Sequence, residues 1–273
     1  MFQSRTRTST LVTAANLLEL IYHATVRQLR KSHRSAVMGL ITNIMQSLVM
    51  VAVFYVMFSM LGLRGSAIRG DFLLYVMSGI FLFMTHTKAM GAVAGSEGAA
   101  TPMMQHAPMN TVVSITSAAL AALYTQVLSI VVILTVYHSA IKPITIFEPI
   151  SAFGMVLLAW LSGVAVGMVF LAARPWAPGF ITVATTIYAR ANMIASGKMF
   201  LANTLPGSML ALFDWNPLFH CIDQARGFTF INYTPHFSSI QYPVLVSLTL
   251  IMIGLMGEFF TRKHVSSSWE AGR

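Results

Sequence analysis

Charge is scarce in this chain, and negative charge is scarcer. Only 9% of the 273 residues are charged, and 17 Lys and Arg outnumber 8 Asp and Glu. Soluble domains average about 25% charged residues, so an ordinary water-soluble domain is excluded. There is one cysteine, Cys221, which excludes an internal disulfide. No GxxxxGK[ST] run occurs, so nucleotide binding through a Walker A loop is excluded. CxxC and HExxH are also missing. The eight histidines, His23, His33, His86, His106, His138, His220, His236 and His264, make no metal-ligand spacing. A catalytic site at membrane depth needs a nucleophile, base or metal cluster, and no paired acids lie inside the apolar stretches. The opening residues, MFQSRTRTST, lack the apolar core and cleavage site of a secretory signal, so the first true span is expected to direct insertion.

What fills the chain is apolar sequence. Hydrophobic residues make up 56%, and mean hydropathy is +0.71. Several runs exceed the roughly 20 residues that cross a ~30 Å hydrocarbon core. The expected fold is an all-α polytopic membrane protein with six spans, at residues 36–63, 72–94, 111–137, 150–173, 180–201 and 242–260. The basic residues set its orientation. Arg5, Arg7, Arg27, Arg30, Lys31 and Arg34 precede the first span, Arg174 lies between the fourth and fifth, and Arg262, Lys263 and Arg273 close the chain. The opposite loops carry fewer cations, mixed with Asp71, Glu148, Asp214 and Asp223. The positive-inside rule places both termini in the cytosol. The net charge of +9 is accounted for by topology and anionic lipid, and nucleic acid is not an expected partner.

Three connecting regions stand out. Residues 1–35 form a tail and an amphipathic helix, with Leu18, Ile21, Tyr22, Thr25 and Leu29 on one face and Arg27, Arg30, Lys31 and Arg34 nearly opposite. Such a helix lies in the headgroup layer. Residues 95–110 form a short cytosolic loop bounded by Gly and Pro. Residues 202–240 form an external segment too long for an idle connection. There Asn216-Pro217 predicts a helix start and Gly227 a stop, with a second short apolar helix before them. Trp215, Phe219, Phe228, Phe230 and Tyr233 are expected at the membrane interface. A further tail covers residues 261–273.

One residue sits where hydrocarbon should repel it. Arg190 lies about 11 residues into the fifth predicted span, roughly 16 Å at ~1.5 Å per residue. A charge at that depth costs at least about 2.5–3.5 kcal/mol. Facing a wet pathway or an anionic ligand relieves that cost, and so do backbone carbonyls or a subunit contact. Lys198 follows eight residues later on nearly the same helical face, and Asn192 and Ser196 add polarity. The pattern predicts a polar track up one side of the span. Near the end of the second span, Lys88 is expected to snorkel to headgroups and His86 to be a neutral, hydrogen-bonded residue.

In order, these pieces resemble the membrane subunit of an ABC-2-type exporter, the group that moves capsular polysaccharide, O-antigen or teichoic acid. Residues Asn216-Pro217-Leu218-Phe219-His220, continuing through Ile222, Asp223 and Gln224 to Arg226, are similar to that family's NPL-x-H stretch with its following arginine. Residues 189–206, with Arg190, Ser196-Gly197, Met199-Phe200 and Leu205-Pro206, resemble its fifth-span ending. Arg27-Gln28-Leu29-Arg30 and Gly39-Leu40 resemble its basic interface helix and the start of its first span.

The resemblance implies a homodimer with a channel at the subunit interface, in a bacterial inner membrane. Two copies of a separate ABC ATPase would carry ATP and Mg, leaving this chain with no cofactor and no catalytic role. Glu97, Met103 and Met104 would lie in a coupling helix, with Arg27 and Arg30 beside it. Phe213, Trp215, Asn216, Pro217, His220 and Arg226 would belong to an external gate. The cargo would be a lipid-linked, acidic capsular polysaccharide passing Arg190, Lys198, Asn192 and Tyr188 toward envelope export proteins. Tyr188, Trp160 and Phe200 would offer faces for sugar rings, a role that competes with plain packing. The same architecture also serves O-antigen, teichoic acid, lipid or drug. An ion-coupled secondary transporter is the different-class alternative, and it calls for intramembrane acids and internal repeats.

Overall fold

The structure is a computed structural model that describes residues 10–31, 35–60, 71–98 and 111–264. All its regular secondary structure is helical among these residues. The α-helices are α1 (Thr10–Lys31), α2 (Ala36–Met60), α3 (Phe72–Ala94), α4 (Thr111–Ala140), α5 (Pro149–Ala173), α6 (Pro178–Ala195), α7 (Gly207–Leu210), α8 (Pro217–Thr229) and α9 (Gln241–His264), with a 3-10 turn at Ala202–Thr204. Five segments are long and apolar enough to cross a bilayer: Val37–Met60, Phe72–Ala94, Thr111–Ala140, Pro149–Ala173 and Gln241–His264.

Helix starts follow local chemistry. Asp71 caps α3 by accepting from the Leu73 N–H at 2.9 Å. Proline opens α5, α6 and α8, where its missing N–H has no partner to lose.

The five long helices form an inner pair and an outer three. In an apolar 18-residue stretch of each helix, 72% of the residues of α3 and 67% of those of α5 are buried, against 22%, 28% and 22% for α2, α4 and α9. Small residues let the inner helices approach closely. A Cβ on Gly163 would stand 2.3 Å from the His86 carbonyl oxygen, and one on Gly167 would stand 2.7 Å from that of Met90. On another face of α5, Gly254 of α9 receives Met168, and a Cβ there would meet the Met168 Cβ at 2.7 Å. The outer helices turn Val53, Val131, Val136, Leu245, Met252, Met256 and Phe259 outward, all more than half exposed. Hydrocarbon, not water, is the solvent such a surface suits.

The helix at the fifth predicted span departs from expectation. Helix α6 covers 18 residues, about 27 Å at ~1.5 Å per residue, and stops at Ala195 instead of Leu201. Gly197 then adopts φ +74° and turns the chain. The helix is short because α8 occupies the space beyond it. Helix α8 is no surface element: Leu218, Phe219, Cys221, Ile222 and Ala225 are all buried, packed against α3, α5 and α9. Of the aromatics expected at the interface, Phe219, Phe230 and Tyr233 are buried and Trp215 is exposed. Gly227 does not stop α8, which runs on to Thr229. Glycine is needed there because a Cβ would meet the Pro235 ring at 2.7 Å.

Helix α1 packs chiefly on α4. Ile21, Thr25 and Leu29 are half-buried, whereas Leu18, Tyr22, Arg27 and Arg30 are exposed. The predicted apolar face is therefore divided between the bundle and the surroundings.

Replacing Gly163 with leucine should collapse the α3–α5 crossing, because the clashing partner is backbone and cannot move aside. Gly154→Ala in the same helix meets nothing within 4 Å and should leave stability within about 1 kcal/mol. Fluorescence-detected size exclusion after a thermal ramp reads both. Equal melting of the two variants would contradict the packing described.

Candidate functional site

One group of buried polar residues converges on the end of α6. Gly197 fits there for two reasons. Its φ is unfavourable for any side chain, and a Cβ would meet Phe219 Cδ2 at 2.6 Å. The turn after it aims carbonyls inward, and Arg226 of α8 collects them. Nη1 donates to the Gly197 oxygen at 2.9 Å and the Phe200 oxygen at 2.6 Å, and Nη2 donates to the Lys198 oxygen at 2.7 Å. The guanidinium lies over the Tyr75 ring, 4.3 Å from its centroid. Arg226 is 1% exposed, so its charge is met by carbonyl dipoles and a π face instead of water. Gly79 of α3 makes the room, since a Cβ would stand 3.0 Å from Nη2.

Lys198 is also sequestered. It is 2% exposed, with Nζ 3.5 Å from the Phe83 centroid and 4.6 Å from that of Phe54. Its ammonium has no hydrogen-bond partner among the described residues. The expected shared face with Arg190 is not realised, because the helix ends between them and the turn drives Lys198 into the core.

Asn216 and Asn192 join α8 to α6. Asn216 Oδ1 accepts from the Leu218 N–H at 3.0 Å, capping α8. Its Nδ2 donates to Asn192 Oδ1 at 2.7 Å and to the Ala195 carbonyl at 3.0 Å. One turn back along α6, the Tyr188 hydroxyl lies 3.1 Å from His86 Nε2. His86 Nδ1 lies 2.9 Å from Ser162 Oγ, whose own hydrogen goes to the Ala159 carbonyl. This accounting puts the imidazole hydrogen on Nδ1 and leaves Nε2 to accept from Tyr188.

The other residues expected to form a gate surround the same unit. His220 Nε2 donates to the Asp214 carbonyl at 2.7 Å, and Nδ1 accepts from the Ser239 N–H at 3.1 Å. Trp215 is exposed, and its carbonyl accepts from the Tyr242 hydroxyl at 2.7 Å. Phe213 packs on Phe200 with ring centroids 4.8 Å apart. Pro217 is buried at the first position of α8. The Tyr233 hydroxyl donates to Asp223, and burial together with that carboxylate raises the phenol well above its usual range.

Arg190 stands apart from all of these. It is exposed on α6, in line with exposed Thr182 and Thr186 at successive turns, and its neighbours Val183, Ile187 and Ile194 are exposed as well. This face of α6 is uncovered in the described chain. Of the residues expected to form a pathway, Asn192 and Lys198 are buried and Tyr188 is half-buried. They point into the protein and do not form one track with Arg190.

Of the expected coupling residues, Arg27 and Arg30 are exposed on α1. The Glu97 N–H donates to Ser114 Oγ at 3.2 Å. Met103 and Met104 lie outside the described residues. Sequence reasoning missed Gly79, Tyr75, Ser162, Phe54 and Phe83 as members of the network. A glycine or serine inside an apolar helix has no distinctive sequence signal, and aromatic faces look like plain packing. No family model and no curated protein matches this sequence.

Arg226→Met should leave three carbonyls without their donor. Hydrogen bonds to charged groups contribute about 1.5–3 kcal/mol each, so a large fall in melting temperature is expected. Arg226→Lys should fall nearly as far, because an ammonium cannot reproduce the fork. Limited proteolysis at residues 198–216 should accelerate in both. Wild-type protection in Arg226→Lys would show that only the charge matters.

Proposed function

We propose that this chain is the membrane-spanning subunit of an ATP-driven exporter of the ABC-2 type, working as a homodimer with a separate ABC ATPase. Its cargo is a lipid-linked, acidic polysaccharide. The subunit sits in a bacterial inner membrane with both termini cytosolic, and α6 counts as the short sixth crossing. On this reading, α8 and the segments beside it close the outer end. The residues around Glu97 and the basic face of α1 meet the ATPase.

The observation that carries this reading is Arg190. It is an exposed cation well inside a helix whose other exposed residues are apolar or threonine. Its cost in hydrocarbon is several kcal/mol, and that cost disappears where the α6 face lines a wet passage used by an anion. The Thr182 and Thr186 ridge continues a polar lining toward the start of α6. The buried unit of Asn216, Pro217, His220 and Arg226 adds support, because it gives the resembling motif a structural task at one end of the bundle.

Two measurements test the proposal. A separate ABC ATPase should co-purify with this chain from its native membrane in mild detergent. Without such a partner, the ion-coupled alternative stands. Arg190→Gln should lower export of the acidic glycan about tenfold at unchanged protein level, the effect of losing a contact of ~1.4 kcal/mol. Normal export by that variant would remove the anion from the α6 face.

A further inference from the structure

A second polar site lies at the opposite end of the bundle from α8. Asn43 of α2 donates from Nδ2 to Gln126 Oε1 at 3.1 Å and to Ser129 Oγ at 2.7 Å, both on α4. These bonds pin α2 across α4. Beside the crossing is a cavity of about 210 Å³ whose walls include Gln28 of α1, Asn43 and Gln46 of α2, Lys88 of α3 and Gln126 of α4.

Its wall holds unspent hydrogen-bond donors. Gln126 is 1% exposed. Its oxygen is taken by Asn43, while its Nε2 has no acceptor among the described residues. A buried donor left unmade costs about 1–3 kcal/mol. Lys88 Nζ donates to Gln46 Oε1, and an ammonium has three hydrogens to give. The buried wall atom without a partner is therefore a donor, and the Lys88 ammonium has further hydrogens to give. Among the described residues Lys88 is the charged one on the wall, and none of them that lines the cavity is a carboxylate. Outside it, exposed Arg27 and Arg30 flank Gln28 on α1.

The surroundings are apolar. Helix α1 exposes Leu17, Leu18 and Tyr22, and the first turns of α2 expose Met38, Ile41 and Met45. An acceptor-rich anion held here has acyl-chain surface within reach. We propose that this cavity seats the phosphate headgroup of an anionic membrane lipid, with Lys88 and the Gln126 amide as its donors and its acyl chains along the exposed start of α2. The site shares no residue with the α6 face and does not depend on the cargo assignment. A lipid bound here bridges α1 to α2, α3 and α4, and so fixes the amphipathic helix against the bundle.

The test uses the full chain, purified and delipidated in neutral detergent, with native mass spectrometry as the readout. Phosphatidylglycerol should remain bound about tenfold more tightly than phosphatidylcholine, the difference a charge-assisted contact supplies. Soluble glycerol 3-phosphate should bind far more weakly. The double variant Lys88→Met, Gln126→Leu should lose the phosphatidylglycerol preference, and Lys88→Arg should keep it. A photoreactive phosphatidylglycerol on the wild-type chain should attach within residues 39–46 or 118–126, which decides the question even if the double variant fails to fold. Equal retention of the two lipids overturns the proposal. So does an undiminished preference in the folded double variant, glycerol 3-phosphate binding as tight as the lipid, or attachment elsewhere.

Discussion

The grip of Arg226 on the turn after α6 is the constraint on which the α8 end of the bundle depends. A guanidinium at 1% exposure has given up its water. It stays only because three carbonyl oxygens and a tyrosine face replace that water. Each replacement fixes something else. The carbonyls are available because Gly197 turns the chain. Gly197 fits because Phe219 leaves no room for a Cβ, and the guanidinium fits because Gly79 has none. Three segments, α3, the turn after α6 and α8, are thus locked through one planar fork, a geometry that lysine cannot copy.

This lock accounts for the shape of α6. A helix that continued to Leu201 would drive through the space held by α8. Ending at Ala195 lets Asn216 take an orphan carbonyl of α6 while capping α8 with its other atom. A single asparagine therefore satisfies two helix ends that would otherwise be buried and unpaired. The Asn216–Asn192 bond and the Tyr188–His86–Ser162 contacts extend the polar core toward the α3–α5 crossing. These bonds tie α8 to α6 and to the inner helix pair.

Hydropathy and local chemistry made much of this legible in the sequence. The span at 72–94 coincides with α3, and the other long helices differ from their predicted ranges mainly at the ends. Asn216-Pro217 announced the start of α8 because a cap is read from adjacent residues. What escaped was non-local. Hydropathy averages over Gly197 and does not register a turn at φ +74°, so the fifth stretch read as one helix and Lys198 as a neighbour of Arg190. Phe219, Phe230 and Tyr233 read as interfacial because a long connecting segment such as 202–240 ordinarily runs over the surface. They are buried because that segment folds into the bundle. Arg226 was visible, but its partners are carbonyls, which any residue supplies and no sequence marks.

Three cations within residues 190–226 solve the same problem in different ways. Arg226 is neutralised by dipoles, at fixed distances, inside the protein. Lys198 is held between two phenylalanine faces, an attraction of about 2 kcal/mol when desolvated. Both are enclosed, and an external anion reaching either one has to displace packed core. Arg190 has neither a carbonyl cradle nor an aromatic cage in the described contacts, and it remains exposed. The electrostatic cost that the fold has internalised for two of its cations is left open for the third. An unsettled charge on an uncovered helix face is where an outside partner gains most, because binding there removes a cost without breaking an internal contact. That asymmetry sets the α6 face apart from the two enclosed cations of this bundle.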